Sequence, residues 1–380
     1  MNARSTPPAL GEPAPWFRAA ALEGSSNFVF DTVAGRPILM LFFGSAAVPA
    51  CRVALDKMMA RRDLFDDRRA AFFGVTVDPA DAAQGRIRAQ VPGIRFFLDY
   101  DRAISGAYGA LGEGGTYRGH WLLLDRAMRV TGAYALRDTD AALAAFNSLV
   151  ERQSATGLAP VLIIEDLLEP ALCQRLIALY EADGGEDSGF MRDIEGKTRL
   201  VLDPAHKVRR DYVVNDPRLI RELQLRLRQR LAPMIWRAFS FEVTRVERLI
   251  VACYEAESGG HFRAHRDNTT KGTAHRRFAV TINLNADDYE GGDLRFPEFG
   301  PRLYRAPTGG AVVFSCSLLH EATPVTRGRR FAFLPFLYDE AAALLRERNA
   351  SFLEGDLANY RASDSNRTNY GSREDVSSIS

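Results

Sequence analysis

The most constraining feature of this sequence is the polar segment 260–267, in which one residue separates a histidine from an aspartate. Because side chains alternate along an extended chain, His265 and Asp267 point to the same face. His320 lies much further along the chain, shortly after an apolar run at 310–316 that is typical of a strand. Two imidazoles and one carboxylate on one side of a metal, with open positions opposite, form the facial triad of non-haem iron(II). The sequence therefore predicts strands that bring these three side chains to one ion.

A candidate anion-binding residue follows on the next apolar run, at 331–337. Arg330 precedes this run, and Arg327 and Arg329 compete with it for the role. Strand alternation places Arg330 on the same face as the small Ala332, which leaves room beside its side chain. A guanidinium group at this position can bind the carboxylate of an organic acid through two parallel hydrogen bonds. We therefore predict that Arg330 holds such an acid.

These pieces resemble the 2-oxoglutarate- and iron(II)-dependent dioxygenases of the prolyl 4-hydroxylase-like branch. Four motifs occur in the order of that family: a tyrosine at 254, Gly-x-Phe-x-x-His-x-Asp at 260–267, Tyr-x-Gly-Gly-x-Leu at 289–294, and His-Glu-x-x-Pro-Val-x-x-Gly-x-Arg at 320–330. The resemblance covers roughly residues 160–338. It implies a mainly-β double-stranded β-helix (jelly-roll) domain with flanking helices.

The resemblance also implies a chemistry. His265, Asp267 and His320 would bind Fe2+, and Arg330 and Tyr254 would bind 2-oxoglutarate, although Tyr254 is equally well explained as an ordinary strand aromatic. O2 is the implied oxidant, with succinate and CO2 as coproducts and ascorbate as a reductant. The implied reaction hydroxylates an unactivated C–H bond of a peptidyl, amino-acid or small-metabolite substrate. A nucleic-acid demethylase uses the same triad, but the formal charge of +1 and the absence of its Arg-rich ending disfavour that alternative.

The first half of the chain has a different pattern. Apolar runs at 36–44, 70–77, 96–98 and 122–124 predict buried strands, and the helical patterns between them predict an α/β sheet. Residues 9–150 resemble the peroxiredoxin (AhpC/TSA) branch of the thioredoxin-like fold. The resemblance rests on Phe-Phe followed by a cysteine at the head of a helix, on Gly-Val-Thr-Val-Asp-Pro, and on Leu-Leu-Leu-Asp after a tryptophan.

The resemblance to peroxiredoxins implies that Cys51 is a peroxidatic thiol, but the surrounding positions depart from the family pattern. Gly44 replaces the proline of the loop, Val48 replaces its threonine, and Gly119 stands where the family has an arginine. Residues 1–150 contain no second cysteine that could act as a resolving partner. Two alternatives follow: a thiol-dependent peroxidase acting through Cys51, or a non-catalytic dimerisation or docking module that could form a homodimer.

The length of 380 residues favours two domains. We predict a peroxiredoxin-like domain at 1–153, a linker at 154–160, a dioxygenase domain at 161–340, and a C-terminal helix with a disordered tail at 341–380. The near-neutral charge predicts no nucleic-acid partner, and the lack of long apolar runs predicts no membrane partner. Four scattered cysteines and the absence of a secretory signal predict a cytoplasmic location.

Three further residues receive a structural interpretation. Cys253 and Cys316 fall in apolar runs and are expected to be inert core thiols. His275 lies in the polar stretch 266–277 and is expected to be a solvated surface histidine.

Overall fold

Strands of uniformly apolar sequence form the centre of the N-terminal part of the chain. In the computed structural model, which describes residues 3–152 and 157–354, every residue of Ile38–Gly44 and Ala71–Thr76 is buried. Both faces of these strands are covered, as expected where helices lie on each side of a sheet. The chain divides into two units, Met1–Leu158 with Pro297–Pro301 and Ala159–Phe296 with Arg302–Ser380.

The strands of the first unit are β1 (Arg18–Ala19), β2 (Phe28–Val29), β3 (Ile38–Gly44), β4 (Ala71–Thr76), β5 (Ile94–Leu98), β6 (His120–Leu124) and β7 (Val130–Ala135). Five of them form a sheet in the order β5-β4-β3-β6-β7, in which β3, β4 and β5 are parallel and β6 and β7 are antiparallel to their neighbours. The α-helices of this unit are α1 (Pro49–Met59), α2 (Pro79–Ala83), α3 (Ala103–Ala107) and α4 (Thr139–Glu151). The predicted α/β fold of this half is confirmed.

The α-helices of the second unit are α5 (Pro170–Asp183), α6 (Pro217–Arg226), α7 (Ala232–Phe239) and α8 (Glu340–Asn349). A π-helical segment, Leu227–Leu231, joins α6 to α7. Pro233 in the first turn of α7 accounts for it, because a proline ring has no N–H and crowds the carbonyl four residues earlier.

Antiparallel strands make up the rest of the second unit, as the predicted jelly-roll requires. The major sheet has the order β14-β25-β17-β24-β15-β13-β9, with β21 paired to β17 and β8 paired to β21, and the minor sheet has the order β12-β16-β22-β19-β20. The strands are β8 (Leu162–Ile164), β9 (Glu186–Asp187), β10 (Phe190–Ile194), β11 (Lys197–Val201), β12 (Lys207–Val208), β13 (Arg210–Val213), β14 (Arg245–Glu247), β15 (Ile250–Glu255), β16 (His261–His265), β17 (Phe278–Asn283), β18 (Glu290–Gly291), β19 (Leu294–Arg295), β20 (Leu303–Tyr304), β21 (Ala311–Ser315), β22 (His320–Ala322), β23 (Val325–Arg327), β24 (Arg329–Phe333) and β25 (Phe336–Tyr338).

Two apolar stretches of the sequence are each divided between two strands. Residues 246–254 are divided between β14 and β15, because Arg248 adopts a left-handed conformation with φ +60°. The apolar run predicted at 331–337 is divided between β24 and β25 at Pro335, which cannot donate a ladder hydrogen bond. Residues 154–156 of the predicted linker and residues 355–380 of the predicted C-terminal segment lie outside the described residues.

Among the described residues, no helix combines the length and apolar character needed to cross a membrane.

Candidate metal centre and cavity

Strand pairing in the minor sheet brings the two predicted histidine ligands together. His265 is the last residue of β16 and His320 is the first residue of β22, and the two are direct cross-strand partners. Asp267 follows β16 and is held in place by its backbone N–H, which donates to the carbonyl of Cys316 at 3.0 Å. One ligand atom from each of the three side chains lies within 4.8 Å of the others. The fold thus collects the three side chains that the sequence singled out.

The two imidazoles are oriented by the backbone. Nδ1 of His265 donates to the carbonyl of Arg263 at 2.8 Å, and Nδ1 of His320 donates to the carbonyl of Leu318 at 2.9 Å. Because a neutral imidazole carries one proton, each Nε2 is left with a free lone pair. The Nε2 atoms of His265 and His320 lie 3.5 and 3.3 Å from the two carboxylate oxygens of Asp267. The hydrogen bonds from Nδ1 to the backbone carbonyls are of the kind that fixes the tautomer in metal-binding histidines.

Electrostatics favour the forms of these side chains that bind metals. Burial, together with the neighbouring His320, lowers the pKa of His265 to about 4, so its ring is neutral at pH 7. Burial opposes ionisation of Asp267, but His320 and His265 outweigh it and hold the pKa of Asp267 well below its usual range. Two imidazoles and one charged carboxylate fit a divalent ion such as Fe2+.

Arg330 is the second component of the site. It is a cross-strand partner of Tyr254 in the major sheet, and its guanidinium carbon lies 5.0 Å from the centre of the Tyr254 ring. Arg330 is only 2% exposed, and its Nε has no hydrogen-bond partner. Within the described part of the chain, no carboxylate forms an ion pair with it. A buried cation without a counter-charge is costly, so the site suits an anionic ligand.

The Gly-Gly turn makes room for Arg330. Gly292 has φ +67°, a conformation that side chains rarely adopt. A Cβ atom added there would lie 2.9 Å from Cδ of Arg330 and 2.9 Å from a methyl group of Val325. The motif therefore has a physical reason: a larger residue at this position would displace the arginine.

One cavity joins the triad to Arg330. Its polar lining includes His265, Asp267, His320, Arg330 and Tyr254. Its apolar walls come from both sheets and from the segments beside them: Phe262, Ala279, Val280, Leu294, Phe314, Ala322, Leu334, Pro335 and Phe336. The arrangement combines a metal site, an anion site and an apolar enclosure.

The sequence analysis missed a cationic cluster on the same cavity. Arg209 and Arg248 line it, and both form ion pairs with Asp211, at 2.6 and 3.3 Å. Lys207 and Arg209 belong to the Gly- and charge-rich stretch 182–212. Their spacing was an available signal, because Lys207, Arg209 and Asp211 alternate as residues on one face of an extended chain do.

The prediction that His275 is a solvated surface residue is wrong. His275 is 1% exposed, and its Nε2 lies 2.9 Å from Oε2 of Glu247. Glu247 is itself buried and also accepts from Nε of Arg276 at 2.6 Å. The polar stretch folds inward because this buried carboxylate needs partners. Cys253 and Cys316 are buried free thiols, as predicted.

Cys51 occupies the first turn of α1, as the peroxiredoxin pattern predicts, but its surroundings do not activate it. The thiol is buried and donates to the carbonyl of Phe43 at 3.0 Å. Burial raises the pKa of Cys51, and the negative charge of Asp81 raises it further. A peroxidatic cysteine requires the opposite shift, since the thiolate is the nucleophile.

Comparison with known proteins separates the two halves of the chain. Residues 249–338 match the sequence model of the 2OG-Fe(II) oxygenase superfamily. Residues 10–133 match that of the AhpC/TSA family. The chain therefore carries a 2OG-Fe(II) oxygenase region and a peroxiredoxin-like region, and both predicted resemblances are confirmed.

Similar curated proteins include a PKHD-type hydroxylase from Synechococcus sp. (strain JA-2-3B'a(2-13)), 32% identical over 93 residues, and one from Bordetella pertussis, 36% identical over 115 residues. These matches cover 23% and 27% of this chain, and the chain spans only 41% and 48% of the two relatives.

Similar solved structures include a prolyl hydroxylase from Trichoplax adhaerens, with a TM-score of 0.37 and 19% identity over 49% of this chain and 86% of that one. AhpC from Mycobacterium tuberculosis has a TM-score of 0.33 and 18% identity over 39% of this chain and 96% of that one.

Proposed function

We propose that this protein is an Fe(II)- and 2-oxoglutarate-dependent dioxygenase that hydroxylates a C–H bond of a peptidyl, amino-acid or small-metabolite substrate. The observation that carries the proposal is the single cavity that contains both the His265–Asp267–His320 cluster and the buried Arg330, which forms no ion pair with any other described residue. The first group suits Fe2+, and the second suits the far carboxylate of 2-oxoglutarate. The match of residues 249–338 to the oxygenase superfamily supports the same reading.

In this proposal His265, Asp267 and His320 hold Fe2+, and Arg330 holds 2-oxoglutarate beside Tyr254. Bound Fe2+ and 2-oxoglutarate supply the oxidising chemistry, which couples decarboxylation of the keto acid to succinate with the use of O2. The backbone carbonyls of Arg263 and Leu318 hold the imidazoles in the metal-binding tautomer. The apolar walls exclude water, which strengthens each electrostatic contact inside the cavity.

Further parts of the assignment rest on the family resemblance. We propose that ascorbate serves as a reductant for the metal. The cytoplasmic location and the homodimer stay predictions, and for the N-terminal unit the buried, neutral Cys51 supports a non-catalytic docking or dimerisation role over a peroxidase.

The test is succinate formation from 2-oxoglutarate by protein loaded with Fe2+ under anaerobic conditions and then given O2. We expect the wild type to form succinate and the Asp267→Ala variant to lose both iron binding and turnover. The exposed Asp287 provides a matched control, and Asp287→Ala should behave as the wild type does. A wild type that binds no iron and forms no succinate would contradict the proposal.

A further inference from the structure

The cavity contains more positive charge than the proposed cofactors need. Arg209, Arg248 and Arg330 all line it, and among the described residues only Asp211 forms ion pairs with the first two. The following inference rests on the proposed function, because it assumes that Arg330 is occupied by 2-oxoglutarate. The guanidinium groups of Arg209 and Arg248 are then left for another ligand.

Arg209 is held by several hydrogen bonds, but one of its N–H donors has no partner among the described residues. Its two terminal nitrogens donate to Asp211 at 2.6 Å, to Ser188 at 3.1 Å and to the Tyr254 hydroxyl at 3.3 Å. Its Nε has no hydrogen-bond partner, although the residue is only 8% exposed. A buried donor is costly to leave unpaired, and this one belongs to a side chain that lines the cavity.

Arg248 is held in an unusual conformation. Its φ of +60° lies in the left-handed region, which glycine or asparagine adopts more readily than arginine. Its guanidinium packs over the ring of Phe336 at 5.6 Å and donates to Asp211 at 3.3 Å. Strained positions of this kind are found where the side chain serves a site, and here that side chain lines the cavity.

The charges can be counted. Burial opposes ionisation of Asp211, but Arg209 and the other nearby cations outweigh it and lower its pKa to about 2, so it contributes one negative charge. Against three guanidinium groups, Asp211 and the far carboxylate of 2-oxoglutarate provide two negative charges. The two charges of Fe2+ are balanced by Asp267 and by the other carboxylate of 2-oxoglutarate. One positive charge remains.

Lys207 does not change this conclusion. Its ammonium group lies outside the cavity lining, where it donates to the Ser188 hydroxyl at 2.7 Å and to the Gly189 carbonyl at 2.6 Å. Burial lowers its pKa well below the usual value, and the neighbouring Arg209 lowers it further. Whatever charge Lys207 keeps adds to the positive excess.

We propose that the primary substrate is an anion whose carboxylate or phosphate group binds to Arg209 and Arg248. The free Nε edge of Arg209 and the guanidinium of Arg248 supply the donors, and such groups bind these anions through paired hydrogen bonds. The substrate class is thereby narrowed to molecules with an acidic group near the carbon that reacts. An uncharged peptide segment would leave the excess charge buried.

The test measures binding to full-length protein that contains Mn2+ and N-oxalylglycine, an unreactive analogue of 2-oxoglutarate, so that Arg330 is already occupied. One arm compares N-acetylproline, N-acetylalanine and N-acetyllysine with their carboxamides. A second arm compares phenyl phosphate with phenol. Calorimetry gives the dissociation constant for each probe, and a separate titration gives that of N-oxalylglycine.

We expect at least one anionic probe to bind about tenfold or more tightly than its uncharged partner, and the arm in which it does so identifies carboxylate or phosphate. Arg248→Gln should weaken that probe by a similar factor, and Arg209→Gln should do the same if the variant folds. Arg329→Gln is the matched control, because Arg329 is exposed and pairs with Glu181.

The outcomes are distinguishable. If wild-type protein does not bind N-oxalylglycine, the proposed function fails and this inference fails with it. If N-oxalylglycine binds and no anionic probe binds better than its partner, the inference alone is overturned. It is also overturned if Arg248→Gln weakens N-oxalylglycine more than the probe, because the cluster would then serve the cosubstrate.

Discussion

The candidate metal site of the C-terminal unit and Cys51 of the N-terminal unit both match residues of their family motifs, yet their surroundings differ. At the candidate metal site, burial lowers the pKa of His265 and keeps it neutral, whereas His320 and His265 outweigh burial and keep Asp267 charged. These are the forms that bind a cation. At Cys51, burial and Asp81 raise the pKa of the thiol and disfavour the reactive thiolate. A motif residue thus indicates activity only when its environment stabilises the reactive form.

Among the substitutions that test this comparison, we expect the largest effect at Arg330. Replacing it with glutamine removes the buried cation that we propose holds 2-oxoglutarate. Because a charge-assisted hydrogen-bonded pair is worth about 1.5–3 kcal/mol, the KM for 2-oxoglutarate should rise roughly 10- to 100-fold. Steady-state succinate formation measures this. An unchanged KM in Arg330→Gln would show that another residue holds the cosubstrate.

A smaller effect is expected at Gly292, where Gly292→Ala adds a Cβ atom 2.9 Å from Cδ of Arg330. The positive φ alone should cost about 1 kcal/mol of folding free energy. Gly196→Ala is a matched control, because Gly196 also has a positive φ (+78°) but has no atom within 4 Å of the added Cβ.

Denaturant unfolding should show similar backbone costs in the two variants, with an additional loss of stability in Gly292→Ala. Only Gly292→Ala should raise the KM for 2-oxoglutarate, by a few fold. An equal effect of both variants on KM would contradict the proposed link between the turn and Arg330.

At Cys51 we expect no effect on succinate formation, and the test there is the reactivity of the thiol. Because burial raises its pKa above the usual thiol value, native protein at pH 7 should alkylate at Cys51 at least tenfold more slowly than a free cysteine does. The rate should increase as pH rises through the thiol pKa, since the thiolate reacts. Peptide mass spectrometry after iodoacetamide treatment measures it.

Cys51→Ser should leave succinate formation unchanged. Rapid labelling of Cys51 at pH 7, or peroxide turnover that is lost in Cys51→Ser, would reverse the comparison and make the N-terminal unit a peroxidase.

Local spacing along the sequence was sufficient to predict much of the candidate site. The single residue between His265 and Asp267 places both on one face of an extended chain, and alternation correctly distinguishes the buried Arg330 from the exposed Arg329. The apolar runs of β3 and β4 likewise predicted buried strands. The side-chain assignments depend on a period of two along a few residues and the strand assignments on continuous apolar runs, and the sequence contains both kinds of information directly.

Non-local pairing decided the rest. The register that places His265 opposite His320, and Tyr254 opposite Arg330, joins strands that are far apart in the chain. Short-range patterns carry no information about such partners, although the family motifs implied that these residues meet.

The cation cluster and the buried His275 show the same limit. Arg209 and Arg248 meet at Asp211 only because β13 pairs with β15 in the folded sheet, and His275 is buried because Glu247 draws the polar stretch inward. From composition alone, charged residues are expected at the surface. The sequence by itself therefore determined which residues share a strand face, whereas the tertiary structure decided which charges are buried together, because the energy of a buried charge depends on partners that only the fold supplies.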